Sequence, residues 1–334
     1  MTGPSASLLT EPNLLIAGFA KCGTTSLAKY LADHPDVCPP SVKETYFLVD
    51  ATSPFAEMNS FFGEIGIADD DINATSNFSR FIEQYNGETC LFDATPYHYC
   101  QERALSYAER RPDLKVVFIV REPEDRLQSS YSFFKNVQQE YPDVTFEDYV
   151  DIILGDEATR AAFRARIKRP FFQAVFDTDL TLGCYATHIE PWINRLGRDR
   201  VFVGKMETMR DEPQRFMRDL CQFLAIDASF YEHYEFQVYQ KTFNVRFPVL
   251  QRFVRRLVKS DPMRMDTLAK HHNSVHLIGN PVVRAVADRL YRFIQGADQS
   301  VKIDSPASKR LAAYYAASDR RLRDICNLEP YGAG

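Results

Sequence analysis

The stretch Leu14-Leu15-Ile16-Ala17-Gly18-Phe19-Ala20-Lys21-Cys22-Gly23-Thr24-Thr25-Ser26-Leu27 decides the fold class. Its opening is a short apolar run that ends at Gly18, the pattern of a strand buried on both faces. From about Thr25 the period changes. Leu27, Tyr30 and Leu31 fall at i, i+3 and i+4, one face of a helix, and Pro35 keeps that helix from continuing far. The loop between strand and helix therefore presents backbone N–H groups at a helix N-terminus, where an anion is attracted. Gly18 and Gly23 permit a tight turn, Lys21 adds a positive charge, and Thr24, Thr25 and Ser26 add hydroxyls. Together with Cys22 they form the parts of a phosphate cradle.

Two familiar phosphate loops are excluded by spacing. The nucleoside-triphosphate loop G-x-x-x-x-G-K-[ST] carries its lysine after the second glycine, whereas Lys21 precedes Gly23. The dinucleotide fingerprint G-x-G-x-x-G is also missing from this strand–helix junction.

Further along, Lys115–Val120 (KVVFIV) is the clearest strand of the chain, β-branched and nearly all apolar. Glu122-Pro123 opens a helix whose buried stripe is Leu127, Tyr131 and Phe134. Arg121 falls at the strand's carboxyl end, where open α/β sheets bind ligands. Ser129 lies two turns into the helix. A guanidinium and a hydroxyl so placed suit a phosphate monoester. Helices are expected over about Thr181–Arg195 and Pro213–Leu224, with a strand at Val201–Val203 between them. Strands alternating with helices imply an α/β fold with a central, mainly parallel sheet, a P-loop-like core and flanking helices. Residues 13–330 read as a single domain behind a disordered leader at 1–12. The region from Pro248 to Asp324 reads as mostly helical and is expected to pack on the sheet.

Both loops resemble those of sulfotransferases that use 3′-phosphoadenosine 5′-phosphosulfate (PAPS). Gly18 to Leu27 is similar to that family's 5′-phosphosulfate loop, G-x-x-K-x-G-T-[ST]-x-L, and Tyr30-Leu31-x-x-His34-Pro35 continues the likeness. Arg121-Glu122-Pro123-x-x-Arg126-x-x-Ser129-x-Tyr131 resembles its 3′-phosphate motif. The resemblance leans toward the heparan sulfate sulfotransferases and their bacterial relatives, and extends over about residues 13–328. It implies that Lys21, Cys22, Gly23, Thr24, Thr25 and Ser26 surround the 5′-phosphosulfate, and that Arg121 and Ser129 hold the 3′-phosphate. Arg246 is a further candidate for the nucleotide, and Arg126 either meets it or holds a neighbouring carboxylate.

The same resemblance makes Glu44, in Lys43-Glu44-Thr45-Tyr46-Phe47, the base that deprotonates the acceptor. Lys21 then stabilises the leaving phosphate as well as binding it. Asp93-Ala94-Thr95-Pro96-Tyr97-His98 resembles the segment that lines the acceptor cleft, and His98 is a possible second acid–base group. Heparan sulfate enzymes often carry a lysine where this chain has Ala94. Their cysteine-bearing loop near the C-terminus is not recognisable either, which argues against a polyanionic acceptor. Acceptor specificity is expected in loops at Val49–Glu83 and Tyr141–Asp179. The implied activity is sulfuryl transfer from PAPS to an acceptor, a hydroxyl of a small metabolite, natural product or glycan, with release of PAP.

Composition narrows the alternatives. The 334-residue chain has a formal net charge of -5, so an overall field for nucleic acid or anionic membrane is lacking. No run is long and apolar enough to span a bilayer, and the first residues do not form a signal peptide. The seven cysteines are scattered and odd in number, which suits reduced thiols in a cytoplasmic protein. No metal-ligand spacing occurs; His271, His272 and His276 lack an accompanying carboxylate pattern. Asn73 and Asn77 head glycosylation sequons, read as chance matches. Two rivals stand beside the sulfotransferase reading. A P-loop kinase or NTPase would need an acidic metal ligand where Arg121 stands. An inactive nucleotide-binding protein of the same fold would bind PAP without turnover.

Overall fold

The computed structural model describes residues 11–56, 78–79, 81–83, 85–138, 140–141, 143–237 and 306–328. Its centre is a five-stranded sheet in which every pairing is parallel. The strands are β1 (Leu14–Gly18), β2 (Val37–Cys38), β3 (Cys90–Asp93), β4 (Lys115–Val120) and β5 (Val201–Lys205), in the order β2-β3-β1-β4-β5. All five residues of β1 are buried, and only Lys115 of β4 is not. Two-sided burial explains why both strands read as unbroken apolar runs.

The helices are α1 (Thr24–Ala32), α2 (Glu102–Glu109), α3 (Pro123–Ser132), α4 (Phe146–Ile153), α5 (Glu157–Arg164), α6 (Pro170–Asp179), α7 (Tyr185–Leu196), α8 (Met206–Asp211), α9 (Pro213–Leu224) and α10 (Pro306–Cys326). β1 lies between β3 and β4, so the chain completes one side of the sheet before it crosses to the other. The carboxyl ends of β1 and β4 thus flank a topological switch point, the place where such sheets bind ligands.

Several boundaries differ from expectation. The helix expected from about Thr181 begins at Tyr185, after a 3-10 turn over Thr181–Gly183. Gly183 cannot carry a side chain there, because a Cβ would lie 2.6 Å from the Tyr315 ring. The region Tyr141–Asp179 is built chiefly from α4, α5 and α6. Their starts are well specified: Thr145 and Asp148 form a reciprocal capping box, Asp156 caps α5, and Pro170 sits in the first turn of α6. Strands β2 and β3 and helix α2 were not anticipated; two and four residues are too few to show a period.

Of the C-terminal region, residues 248–305 lie outside the described residues, as do Arg246, the three clustered histidines and the asparagines of both sequons. Helix α10 packs chiefly against α3, α4 and α7 instead of directly on the sheet. Its Leu311, Tyr315 and Leu322 are buried, and the Tyr315 hydroxyl donates to the Leu180 carbonyl at 2.9 Å. This seam also encloses two carboxyls. Glu124 Oε2 and Asp319 Oδ1 are buried without a hydrogen-bond partner among the described residues. Burial pushes Glu124 up to about 7 and Asp319 up to about 6.

Candidate active site

The loop after β1 alternates between core and cleft. Phe19 is fully buried, with ring centroids 4.9 Å from Tyr185, 5.2 Å from Tyr99 and 5.5 Å from Phe118. Cys22 also points inward, its Sγ 3.5 Å from the Tyr185 hydroxyl, while its amide donates to the Phe19 carbonyl. Cys22 is therefore spent on the turn. Between these anchors Lys21 takes the left-handed backbone region at φ 70°, and Gly23 follows at φ 86° as the N-cap of α1. A Cβ at Gly23 would approach Met209 Cε to 2.9 Å, a contact the flexible methionine can yield, so it is the left-handed backbone that favours glycine here. Gly23 offers no capping side chain, and the first amides of α1 have no intrahelical acceptor. Thr24, Thr25 and Ser26 line this first turn and are nearly buried.

Lys21 extends toward α3 and its π-helical continuation Phe133–Gln138, with Nζ 4.3 Å from the centre of the Phe133 ring. Among the described residues it forms no ion pair. Burial, and after it the Arg121 guanidinium, push the ammonium down to about 8; Glu44 and Asp179 oppose this only in part. Arg121 comes from the end of β4. Its Nη1 donates to the Lys21 carbonyl at 3.5 Å, and its Nη2 lies 3.9 Å from Asp125. Two cations are thus held together at the carboxyl edge of the sheet, one of them desolvated. Ser129 lies on α3, almost fully buried.

Arg126 belongs to the scaffold. It is fully buried, its Nη1 donates to Asp179 Oδ1 at 2.9 Å, and its Nη2 donates to the Asp179 carbonyl. Tyr149 completes the shell by donating to Asp179 Oδ2 at 2.7 Å. This pairing selects the second of the two roles open for Arg126, holding a carboxylate, and joins α3 to α4 and α6.

Glu44 is only 9% exposed and receives two donors. Lys43 Nζ donates to Oε1 at 2.6 Å and the Tyr46 hydroxyl to Oε2 at 3.0 Å. Its field reaches Lys21, which places carboxylate and ammonium in one neighbourhood. His98 is fully buried, with Nε2 3.7 Å from Asp93 Oδ2. Among the described residues neither ring nitrogen has a hydrogen-bond partner, and burial lowers the basicity of the ring, with Asp93 opposing.

Sequence reasoning did not single out Phe133 or Asp179, and named Lys43, Tyr46 and Asp93 only as members of the segments around Glu44 and His98. Lys43 and Tyr46 were visible as neighbours of Glu44. Asp179 lies 53 positions from Arg126 and carried no local signal.

A family model described as "Sulfotransferase domain" matches residues 11–273. The bifunctional heparan sulfate N-deacetylase/N-sulfotransferase 1 of Caenorhabditis briggsae is 24% identical over 234 residues, 66% of this chain and 23% of that protein. Its Homo sapiens counterpart is 26% identical over 227 residues, 64% of this chain and 22% of that protein. The chain spans under a quarter of the length of these curated relatives. Among solved structures, a sulfotransferase from Alicyclobacillus acidocaldarius matches with TM-score 0.58 at 20% identity, covering 96% of this chain and 98% of that one. That likeness shows the fold.

Proposed function

The chain belongs to the sulfotransferase domain family, and on that premise we propose that it transfers the sulfuryl group of PAPS to an acceptor hydroxyl and releases PAP. One observation carries the reading. Lys21 and Arg121, brought from two different loops, repel one another at a helix N-terminus, and burial, with that repulsion after it, depresses Lys21 to about 8. A doubly anionic ligand spanning both loops would relieve that repulsion.

The residues present suit such a ligand. Lys21, Gly23, Thr24, Thr25 and Ser26 hold the 5′-phosphosulfate, and Arg121 with Ser129 holds the 3′-phosphate. PAPS supplies an activated sulfuryl group: a new S–O bond forms to the acceptor oxygen while the bond to the 5′-phosphate breaks and leaves its electron pair there. Lys21 neutralises the charge that grows on that phosphate, an interaction stronger in the transition state than in the ground state. Glu44 takes the acceptor proton, its oxygens oriented by Lys43 and Tyr46.

The relatives' names specify N-sulfation of heparan sulfate. Here Ala94 stands in the segment after β3, the Tyr46 hydroxyl bonds Glu44, and the rings of Tyr46, Phe55 and Phe171 gather around Tyr97. A hydroxyl on a small, weakly charged metabolite, natural product or neutral glycan suits that lining better than a polyanion.

Calorimetric titration with PAP in the absence of metal, with ATP–Mg²⁺ as control, tests the co-substrate. Tight PAP binding with weak ATP binding is the expected result. Binding of ATP–Mg²⁺ but not PAP would overturn the reading in favour of a kinase. With labelled PAPS and an accepted alcohol, Glu44→Gln is expected to slow transfer while PAP affinity holds.

A further inference from the structure

Fully buried Asp93, at the end of β3, organises the segment that carries Glu44. Its Oδ2 accepts from the Thr45 hydroxyl at 2.6 Å, and its Oδ1 accepts from the Thr95 hydroxyl at 2.9 Å. Each hydroxyl passes the constraint on. Thr95 Oγ1 accepts from the Tyr46 amide at 3.1 Å, and Thr45 Oγ1 accepts from the Phe47 amide at 3.2 Å. Between these two amides Tyr46 is held in the left-handed region, at φ 53°. That conformation is costly for a bulky aromatic residue and persists where the surroundings over-determine it. Its consequence is directional, because it returns the Tyr46 hydroxyl to Glu44 Oε2 of its own turn.

We propose that Asp93 is a positioning residue for Glu44, acting through the Thr45 and Thr95 hydroxyls to lock the Glu44–Phe47 turn onto the end of β3. The proposal rests on the sulfotransferase reading only for the role of Glu44. The lock itself is a statement about geometry. All four residues are buried, with Asp93 and Thr95 fully so. A carboxylate satisfied by two hydroxyls inside a protein loses its registry when one hydroxyl is removed, since the remaining acceptor is left unpaired. The short path from Asp93 to Tyr46 means that the loss is felt at the Glu44 carboxylate first.

The test uses Thr45→Val, which removes one hydroxyl and leaves Asp93 in place, and Thr45→Ser, which keeps the hydroxyl. Asp93→Ala removes both anchors and risks failure to fold, so it is not the deciding variant. Crystal structures of wild type and both variants are compared, together with PAP affinity. In Thr45→Val the Glu44 carboxylate is expected to move by about 1 Å or more and to lose its bond from Tyr46, while Thr45→Ser restores both and PAP affinity stays within about twofold. An unmoved Glu44 in Thr45→Val overturns the proposal. Transfer from labelled PAPS separates the two claims. A displaced Glu44 should cost about tenfold or more in kcat with KM for PAPS little changed. Displacement with an unaltered rate supports the lock and removes Glu44 from the role of base.

Discussion

The Arg121 guanidinium reaches from the end of β4 to the main-chain carbonyl of Lys21, with Nη1 and the carbonyl oxygen 3.5 Å apart. The contact joins the loop after β1 directly to the loop after β4. It is long for a hydrogen bond, and the nearest carboxylate, Asp125, is 3.9 Å away and partly exposed. Neither contact saturates five guanidinium donors.

Arg121→Ala is therefore expected to weaken PAP binding by about 10- to 100-fold, the range of a charge-assisted hydrogen bond to phosphate. Adenosine 5′-phosphosulfate, which lacks the 3′-phosphate, should lose several-fold less. Calorimetry with both nucleotides decides the matter, and equal losses would contradict the 3′ assignment.

Lys21 makes binding depend on pH. Its folded value of about 8 lies below the ordinary lysine range because of burial and Arg121. In the free protein the ammonium is charged below pH 8 and progressively neutral above it. PAP affinity should thus be level from pH 6 to about 7.5 and fall by up to tenfold per pH unit above 8. Lys21→Arg keeps the charge and should flatten the alkaline limb, even if its affinity is lower throughout. Titrations between pH 6 and 9.5 would show whether the wild-type limb exists.

Asp179 is the sole carboxylate paired with buried Arg126 among the described residues, and it also accepts from Tyr149. Asp179→Ala leaves a buried guanidinium uncompensated and is expected to cost about 3–5 kcal/mol in urea unfolding. The double variant Arg126→Met/Asp179→Leu should recover much of that loss. A small effect of Asp179→Ala would mean that Arg126 finds water or another partner.

The seam under α10 carries its own pH dependence. Glu124 and Asp319 have folded values raised by burial to about 7 and about 6. For an acid raised on folding, the native state binds more protons, so the contribution of these two groups to stability is largest near pH 4 and is lost as pH rises toward 7. Glu124→Gln removes that penalty. It should raise stability at pH 8 by about 1 kcal/mol, a figure discounted for solvent screening of a partly exposed group, and change little at pH 4. Urea melts at the two pH values provide the check.

Much of the fold was legible because its signals are local. Runs such as LLIAG and KVVFIV are apolar on both faces, so burial can be read without knowing the neighbours. Pro123 and Pro213 mark helix starts by their fixed φ. Helices α4 to α6 and strands β2 and β3 were harder. Their capping residues also occur in turns, and very short strands have no period.

For the proposed site, the order of Lys21, Gly23 and the three hydroxyl residues was enough to suggest a phosphate loop. Loop conformation and helix dipole depend on residues adjacent in the chain, and so did the placing of Arg121 after a strand. What surrounds those groups was decided by tertiary structure alone. Arg126 pairs with Asp179, Phe133 lies under Lys21, and Asp93 reaches Thr45, across separations of 53, 112 and 48 positions. Electrostatics and hydrogen bonding act over a few ångströms of space, whatever the distance along the chain. The sequence by itself determined which groups can bind an anion and take a proton. Only the packed fold decided which of them are desolvated, paired and aimed.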